Sequence, residues 1–409
     1  MKKDKNNRIA IITPFYPIKH RNDLFEDTKA VFYLLKEFAN DNDILIIHLF
    51  MHGFKNAWRQ LPKVLPLKSN YRKYLYTDDY GNNILFFEYL LLFPKTIKTF
   101  RYFSNKYASF IKQYCKEEQY KPEVGVVHFP TYYNDLMKNM DIFPKKIAVI
   151  HSFDIKNIKN GYSLVFWKKY FEEFDAIGFR SYVIKKEFEK LIGTRNNSFM
   201  SLSGIPEEYI TLEVNKPNYN INENIKLMYA GRLDDNKNVA RSVLALNKLG
   251  KSVPYSFTIV GDGEEKKNIE NLVSNLGVSE KITFEGRVTR EKTFTLMQEA
   301  DIFIMVSKKE TLGLVYLEAM AAGCIIIATR GQGIDGIVID GENGFLTDSN
   351  DENAIHQTIY HVMTLNPEEQ MRIRDNAKNT VNNLSDTSLS EEYYYNICSI
   401  ILKDMHFNE

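Results

Sequence analysis

EADIFIMVSKKETLGLVYLEAMAAG, residues 299–323, runs from an acidic helix end through an apolar strand into a glycine turn and a second helix. Ile302–Val306 is a continuous apolar run, as expected of a strand buried on both faces of a parallel sheet. The loop after it carries Glu310 and Gly313, and the helix beyond carries Glu318. Amides near Gly313, Leu314 and Val315, at the start of that helix, form an anion site by backbone and dipole alone. Carboxylates beside an anion site need a separate reason. Sugar or ribose hydroxyls supply one, because a carboxylate accepts strong hydrogen bonds from them.

Upstream, residues 226–238 read KLMYAGRLDDNKN: a strand, the Gly231 turn, then Arg232 and Lys237 ahead of a helix starting at Val239. Two cations at the carboxyl end of a strand suit a phosphate-bearing ligand in an α/β crevice, although alone they read equally well as a solvated turn. FTIVGDG, residues 257–263, and ITFEGRV, residues 282–288, end strands in glycine, which lets a base or phosphate approach the backbone. Gly261-x-Gly263 fails as a dinucleotide fingerprint, since Lys266 stands where the third glycine belongs.

Strand-like runs alternate with amphipathic segments along the whole chain, the pattern of parallel sheets with crossover helices. One series comprises Ile9–Thr13, Ile44–Leu49, Val124–His128, Ile147–His151, Ala176–Phe179 and Asn197–Leu202, with a helix over Asp27–Ala39. A second series comprises Lys226–Tyr229, Ser256–Val260, Ile282–Phe284, Ile302–Val306, Cys324–Ala328 and Gly344–Leu346. Between them lie Ser203-Gly-Ile-Pro206 and the polar stretch Asn215–Asn224, which set the expected boundary. The expectation is α/β: two Rossmann-like domains across a cleft, residues 1–205 and 206–388, with a terminal helix over 389–409 returning to the first. That helix offers Tyr394, Ile397, Ile401 and Leu402 on one face.

A chain of 409 residues with 44% hydrophobic and 26% charged residues suits two such cores. Three scattered cysteines fit a reducing compartment and match no metal-ligand spacing. The polar start leads directly into Ile9-Ala-Ile-Ile12 without a cleavable apolar region, and Ile84 to Phe93 is interrupted by Glu88 and too short to span a bilayer. A cytoplasmic location follows, with peripheral attachment at the inner membrane face left open. The net charge of +1 hides an acidic excess over residues 221–391, so the basic residues concentrate elsewhere. Lys55, Arg59, Lys63, Lys68, Arg72 and Lys73, interleaved with Trp58, Leu61, Leu65, Tyr71 and Tyr74, read either as an ordinary solvated face or as a surface for anionic lipid. No nucleic-acid motif accompanies them.

Taken in order, Gly231-Arg232…Lys237-Asn238, Val260-Gly-Asp-Gly263, the strand led by Asp301 and the Glu310-x7-Glu318 spacing resemble family 4 of the retaining glycosyltransferases, which have the GT-B fold. The resemblance covers most of residues 200–350. It implies that Arg232 and Lys237 bind a nucleotide-sugar diphosphate, with the amides of Gly313, Leu314 and Val315 completing the cradle. It further implies that Glu310 touches sugar hydroxyls, that Glu318 binds ribose, and that Arg287 and Val288 lie along the base. His151 stands where similar enzymes place a histidine near the transferred sugar; a lone histidine at a strand end is otherwise structural. The acceptor implied is a glycan, lipid-linked or protein-linked molecule, and neither a metal nor a resident cofactor is called for. In place of the glycine pair found after the first strand in many relatives, this chain has Thr13-Pro-Phe-Tyr-Pro17 and then His20-Arg-Asn-Asp-Leu24.

Three rivals follow from other spellings. GQGIDG, residues 331–336, satisfies the dinucleotide pattern Gly-x-Gly-x-x-Gly after a strand. Asp41-Asn-Asp43 has the spelling of a metal-holding pair, but it precedes a strand and reads better as a turn. A glycosyltransferase-like subunit that binds without turnover would be expected to lose donor-site residues first, and none is lost.

Overall fold

The structure, a computed structural model, describes residues 7–17, 30–35, 42–52, 70–78, 81–90, 97–250 and 253–402. The chain divides into two compact units. One comprises Met1–Arg180, Ile184–Ser201 and Leu389–Glu409; the other comprises Ser181–Val183 and Leu202–Ser388.

The first unit is built on strands β1 (Arg8–Thr13), β2 (Asp43–His52), β3 (Leu75–Thr77), β4 (Asn83–Leu90), β5 (Val124–His128), β6 (Lys145–Ile150), β7 (Ala176–Phe179) and β8 (Ser198–Met200). Their order is β3-β4-β2-β1-β5-β6-β7-β8, and every pairing is parallel except β3 with β4. Apolar runs without alternation are explained by burial on both faces. On β1, Ala10 and Ile12 join one core with Phe103, Tyr107 and Ile111 of the helix Ile97–Glu117. Ile9 and Ile11 join the other with Val31 and Leu34 of the helix Ala30–Leu35. Tyr393, Ile397, Ile400 and Ile401 of the helix Asp386–Leu402 complete this second core. Each such apolar side chain contributes roughly 1.5–3 kcal/mol on burial. Of the expected face, Ile397 and Ile401 are buried and Tyr394 packs partly buried against this core, while Leu402 is exposed and Tyr393 and Ile400 are buried instead.

The second unit carries β9 (Ile225–Ala230), β10 (Tyr255–Val260), β11 (Ile282–Gly286), β12 (Ile302–Ile304), β13 (Ile325–Thr329) and β14 (Phe345–Thr347). The order is β11-β10-β9-β12-β13-β14, all parallel. Counted from β9 this is third, second, first, fourth, fifth, sixth, the doubly wound order of dinucleotide-binding sheets. Chain direction across the sheet reverses between β9 and β12, so the loops leaving those two strands diverge and open a crevice at the carboxyl edge. In the first unit the same reversal falls between β1 and β5.

Candidate functional site

At the second unit's reversal, the loop after β9 is clamped by backbone contact. Gly231 N donates to Val260 O at 3.0 Å. Gly261 adopts φ +134, and a Cβ there would stand 1.8 Å from Gly231 O. Only glycine satisfies both conditions. Tyr229 Oη donates to Arg232 O at 2.8 Å, holding the turn that carries the exposed Arg232 side chain. Asp234 then accepts from Lys237 N at 3.0 Å, and Asn238, in the left-handed region, donates its amide to Val306 O and Ser349 O at 3.2 and 2.9 Å. These bonds tie the loop after β9 to the exit of β12. The result is an ion pair across the crevice: Lys237 Nζ lies 2.6 Å from Glu310 Oε2, with the two side chains only 20% and 15% exposed. Glu310 is itself anchored, its N–H donating to Gln332 Oε1 at 3.1 Å.

The helix Leu314–Ala321 begins at Gly313, which has φ 81 and no capping side chain. A Cβ at Gly313 would sit 2.6 Å from the Tyr316 ring, which is fixed because its hydroxyl donates to Met305 O at 2.6 Å. The helix start with Leu314 and Val315 thus lies on the same crevice edge as Glu310, with backbone amides at an uncapped, positive dipole end. Glu318 lies inside the helix and is buried, which pushes its carboxyl up. Arg290 pulls the other way, donating through Nε and Nη2 to Glu318 Oε1 at 2.9 and 2.5 Å. Arg290 also lies over the Tyr209 ring, which stacks on Phe294 at 3.9 Å. Sequence reasoning missed Arg290. Its signal was available: it is the first residue of the helix Arg290–Glu299, where a cation opposes the helix dipole and needs a compensating partner. Arg287, exposed, and Val288, partly buried, occupy the loop after β11.

His151 belongs to the first unit, immediately after β6. It is buried, and its ring stacks on Phe129 with centroids 3.6 Å apart. Phe129 has φ 58, and edge contact with Phe15 at 5.2 Å joins it to the loop after β1. Burial drives the His151 basicity well down, as do His128 and Arg180 nearby. Asp154 fixes the backbone by accepting from His151 N at 2.8 Å and from Thr131 N and Oγ1 at 3.0 and 2.6 Å.

The rival spellings fare differently. GQGIDG follows β13, but residues 330–344 are turns that lead into β14, so the helix a dinucleotide fingerprint needs is absent there. Asp41, residues 20–24 and residues 55–69 lie outside the described residues. Asp43 begins β2 and sits 3.8 Å from Arg8, while Arg72 pairs with Glu117 at 3.3 Å. Among the described residues no helix is long and apolar enough to cross a membrane.

Residues 213–380 match the family described as glycosyl transferases group 1. An uncharacterized glycosyltransferase of Methanocaldococcus jannaschii is 28% identical over 59% of this chain and 65% of its own length. The alpha-monoglucosyldiacylglycerol synthase of Acholeplasma laidlawii is 30% identical over 45% of this chain and 44% of its own. The chain thus spans 65% and 44% of the lengths of these two relatives. Among solved structures, Anabaena HepE in complex with UDP and glucose superposes with a TM-score of 0.64 at 14% identity, covering 96% of this chain and all of that one. Residues 213–380 are thus similar to the glycosyl transferases group 1 family, and the chain has the two Rossmann-like units of the GT-B fold.

Proposed function

We propose that this protein is a retaining, metal-independent glycosyltransferase that moves a hexose or N-acetylhexosamine from a UDP-sugar to a glycan or lipid-linked acceptor in surface-polysaccharide or glycoconjugate synthesis. A protein-linked acceptor fits the same chemistry. The observation that carries this reading is the Lys237–Glu310 pair at the β9/β12 reversal. A cation for diphosphate and a carboxylate for hydroxyls, side by side, are what a ligand needs where its phosphate joins its sugar. The names of the archaeal relative and the glycolipid synthase, and the UDP and glucose held by HepE, support the same class.

In the reaction, the bond between the anomeric carbon and the phosphate oxygen breaks, and its electron pair leaves on the diphosphate. Arg232, Lys237 and the amides of Gly313, Leu314 and Val315 stabilise that growing charge. Fixed donors of this kind are worth roughly 100- to 1000-fold each in a closed site, far more than in water. Gly231 and Gly261 let the ligand approach the backbone. Glu310 orients the sugar through its hydroxyls, and His151 stands where similar enzymes place a histidine near the transferred sugar. Glu318 takes the ribose: Arg290 occupies Oε1, leaving Oε2 as acceptor. Arg287 and Val288 flank the base. A covalent glycosyl-enzyme requires a carboxylate poised as nucleophile. Both candidate carboxylates are held by cations, so attack from the face the phosphate leaves fits better, the acceptor proton passing to the departing phosphate oxygen. The first unit would then hold the acceptor and the second the donor, with an anionic membrane surface as an expected contact for a lipid-linked acceptor. A panel of nucleotide sugars tests this reading by nucleotide release and by NMR of the product anomer. Turnover of at least one donor with retained configuration is expected; no turnover, or inversion, would overturn it.

A further inference from the structure

Arg290 and Glu318 stand on neighbouring helices of the second unit, and a third element fixes how they meet. Both bonds from Arg290, through Nε at 2.9 Å and Nη2 at 2.5 Å, go to the same oxygen, Oε1. Two donors converging on one atom hold the carboxylate in a single orientation, whereas a lysine ammonium would act as a rotatable point charge. Arg290 opens the helix Arg290–Glu299, and Phe294 lies four residues on, one turn further along the same face. Tyr209, from the short helix Glu207–Thr211, covers both. Its ring stacks on Phe294 with centroids 3.9 Å and planes 11° apart, and the guanidinium carbon of Arg290 lies 5.6 Å from its centroid. The short helix is pinned on either side. Ile205 N donates to Leu384 O at 3.1 Å and Asp386 N to Ile205 O at 2.8 Å, while Lys378 Nζ donates to Leu212 O at 3.2 Å. Tyr209 and Phe294 are buried, and the Glu318 side chain is 10% exposed against 35% for Arg290. The guanidinium thus rests on a fixed aromatic floor, and the carboxylate it holds is shielded from water that could replace a lost partner.

We infer that Tyr209 and Arg290 are positioning residues that make the donor site select a ribonucleotide over its deoxy counterpart: Tyr209 seats the guanidinium, and the guanidinium turns Glu318 so that Oε2 meets the ribose hydroxyls. This rests on the proposed placement of Glu318 at the ribose. Neutralising a buried carboxylate needs only a nearby cation. Fixing which oxygen faces the sugar needs the fork and the ring beneath it. A site that presents an acceptor in one place rejects a ligand lacking the matching hydroxyl, because the acceptor is then left unpaired.

The test titrates UDP, 2′-deoxy-UDP and 3′-deoxy-UDP into the full chain by calorimetry, with a melting temperature recorded for every variant. Wild type should bind UDP about tenfold or more tightly than at least one deoxy form. Arg290→Lys keeps the charge and loses the fork. It should melt within a few degrees of wild type and bring that preference to within about threefold of parity. Tyr209→Leu should lose the preference in the same way, and Tyr209→Phe, which keeps the ring, should retain it. A merely structural pair would weaken UDP and its deoxy forms alike, leaving their ratio at the wild-type value in Arg290→Lys and Tyr209→Leu; that result would overturn the inference. Glu318→Gln separates the inference from the reading on which it rests. If Glu318→Gln loses the preference while the Arg290 and Tyr209 variants keep it, Glu318 stands at the ribose and the positioning role alone fails. If Glu318→Gln keeps the preference, or wild type has none, the placement of Glu318 fails and the inference with it.

Discussion

Both units reverse chain direction once within a parallel sheet, yet the loops at the two reversals are built from opposite chemistry. After β9 and β12 they meet through an ion pair, Lys237 with Glu310 at 2.6 Å, beside an uncapped helix start. After β1 and β5 they meet through an edge contact between Phe15 and Phe129 at 5.2 Å, with the neutral His151 stacked behind. The same topology therefore supplies a place but not a ligand. Paired charge and open amides suit a diphosphate; a stacked, desolvated imidazole suits an uncharged hydroxyl and would lose most of its affinity for an anion.

The comparison is broken most severely by removing the charge it assigns to the second unit. Arg232→Ala and Lys237→Ala should each lower transfer by roughly 100- to 1000-fold in steady-state kinetics, with nucleotide affinity falling in parallel. Loss of less than tenfold would remove diphosphate binding from this loop. Glu310→Gln keeps size and removes charge, and it should lower kcat by on the order of 100-fold while the melting temperature stays within a few degrees. A thermal shift large enough to explain the loss would make Glu310 structural instead. Gly261→Ala forces a Cβ against Gly231 O, and calorimetry should find it destabilised by about 3 kcal/mol or more; wild-type stability would mean the two loops are not clamped as described.

A pH experiment sharpens the contrast from the first unit's side. Burial pushes the Asp154 carboxyl up to about 7, above its value in an unfolded chain, against the pull of its Thr131 and His151 hydrogen bonds. A raised acid favours folding below about pH 4 and loses that advantage as pH rises toward 7, because the unfolded state then releases a proton the folded state keeps. His128 and His151, with lowered basicity, contribute the opposite slope. Their contribution is common to wild type and Asp154→Asn, so the difference between the two isolates Asp154. Denaturant titrations should therefore show Asp154→Asn gaining up to about 4 kcal/mol on wild type between pH 4 and 7. A flat difference would mean that Asp154 is ionised throughout. The smallest effect belongs to Glu318→Gln, which keeps an oxygen for ribose and should weaken nucleotide binding by roughly tenfold with kcat nearly unchanged.

What could be read from the residues alone follows the same division. The six strands of the second unit were legible because each is an apolar run closed by glycine or a polar turn, and Glu310, Glu318, Arg232 and Lys237 stand in a local pattern around them. In the first unit β3 and β4 were not recognised. β4 pairs with both β2 and β3, and a buried run such as Ile84–Phe87 has no periodicity to separate it from a buried helix. The partnerships that fix the functional side chains were illegible for a different reason. Lys237 finds Glu310 across 73 residues and Arg290 finds Glu318 across 28, distances over which spacing carries no information. GQGIDG shows the converse: a correct spelling whose chain continues as turns instead of a helix.

The account is tested most directly by calorimetric titration of UDP into wild type, Lys237→Ala and His151→Ala, with transfer measured on the same samples. Both variants should lose transfer, but only Lys237→Ala should lose UDP affinity, by about 100-fold, because the anion is assigned to the second unit and the hydroxyl contact to the first. Equal loss of UDP affinity in both variants, or undiminished binding to Lys237→Ala, would contradict it.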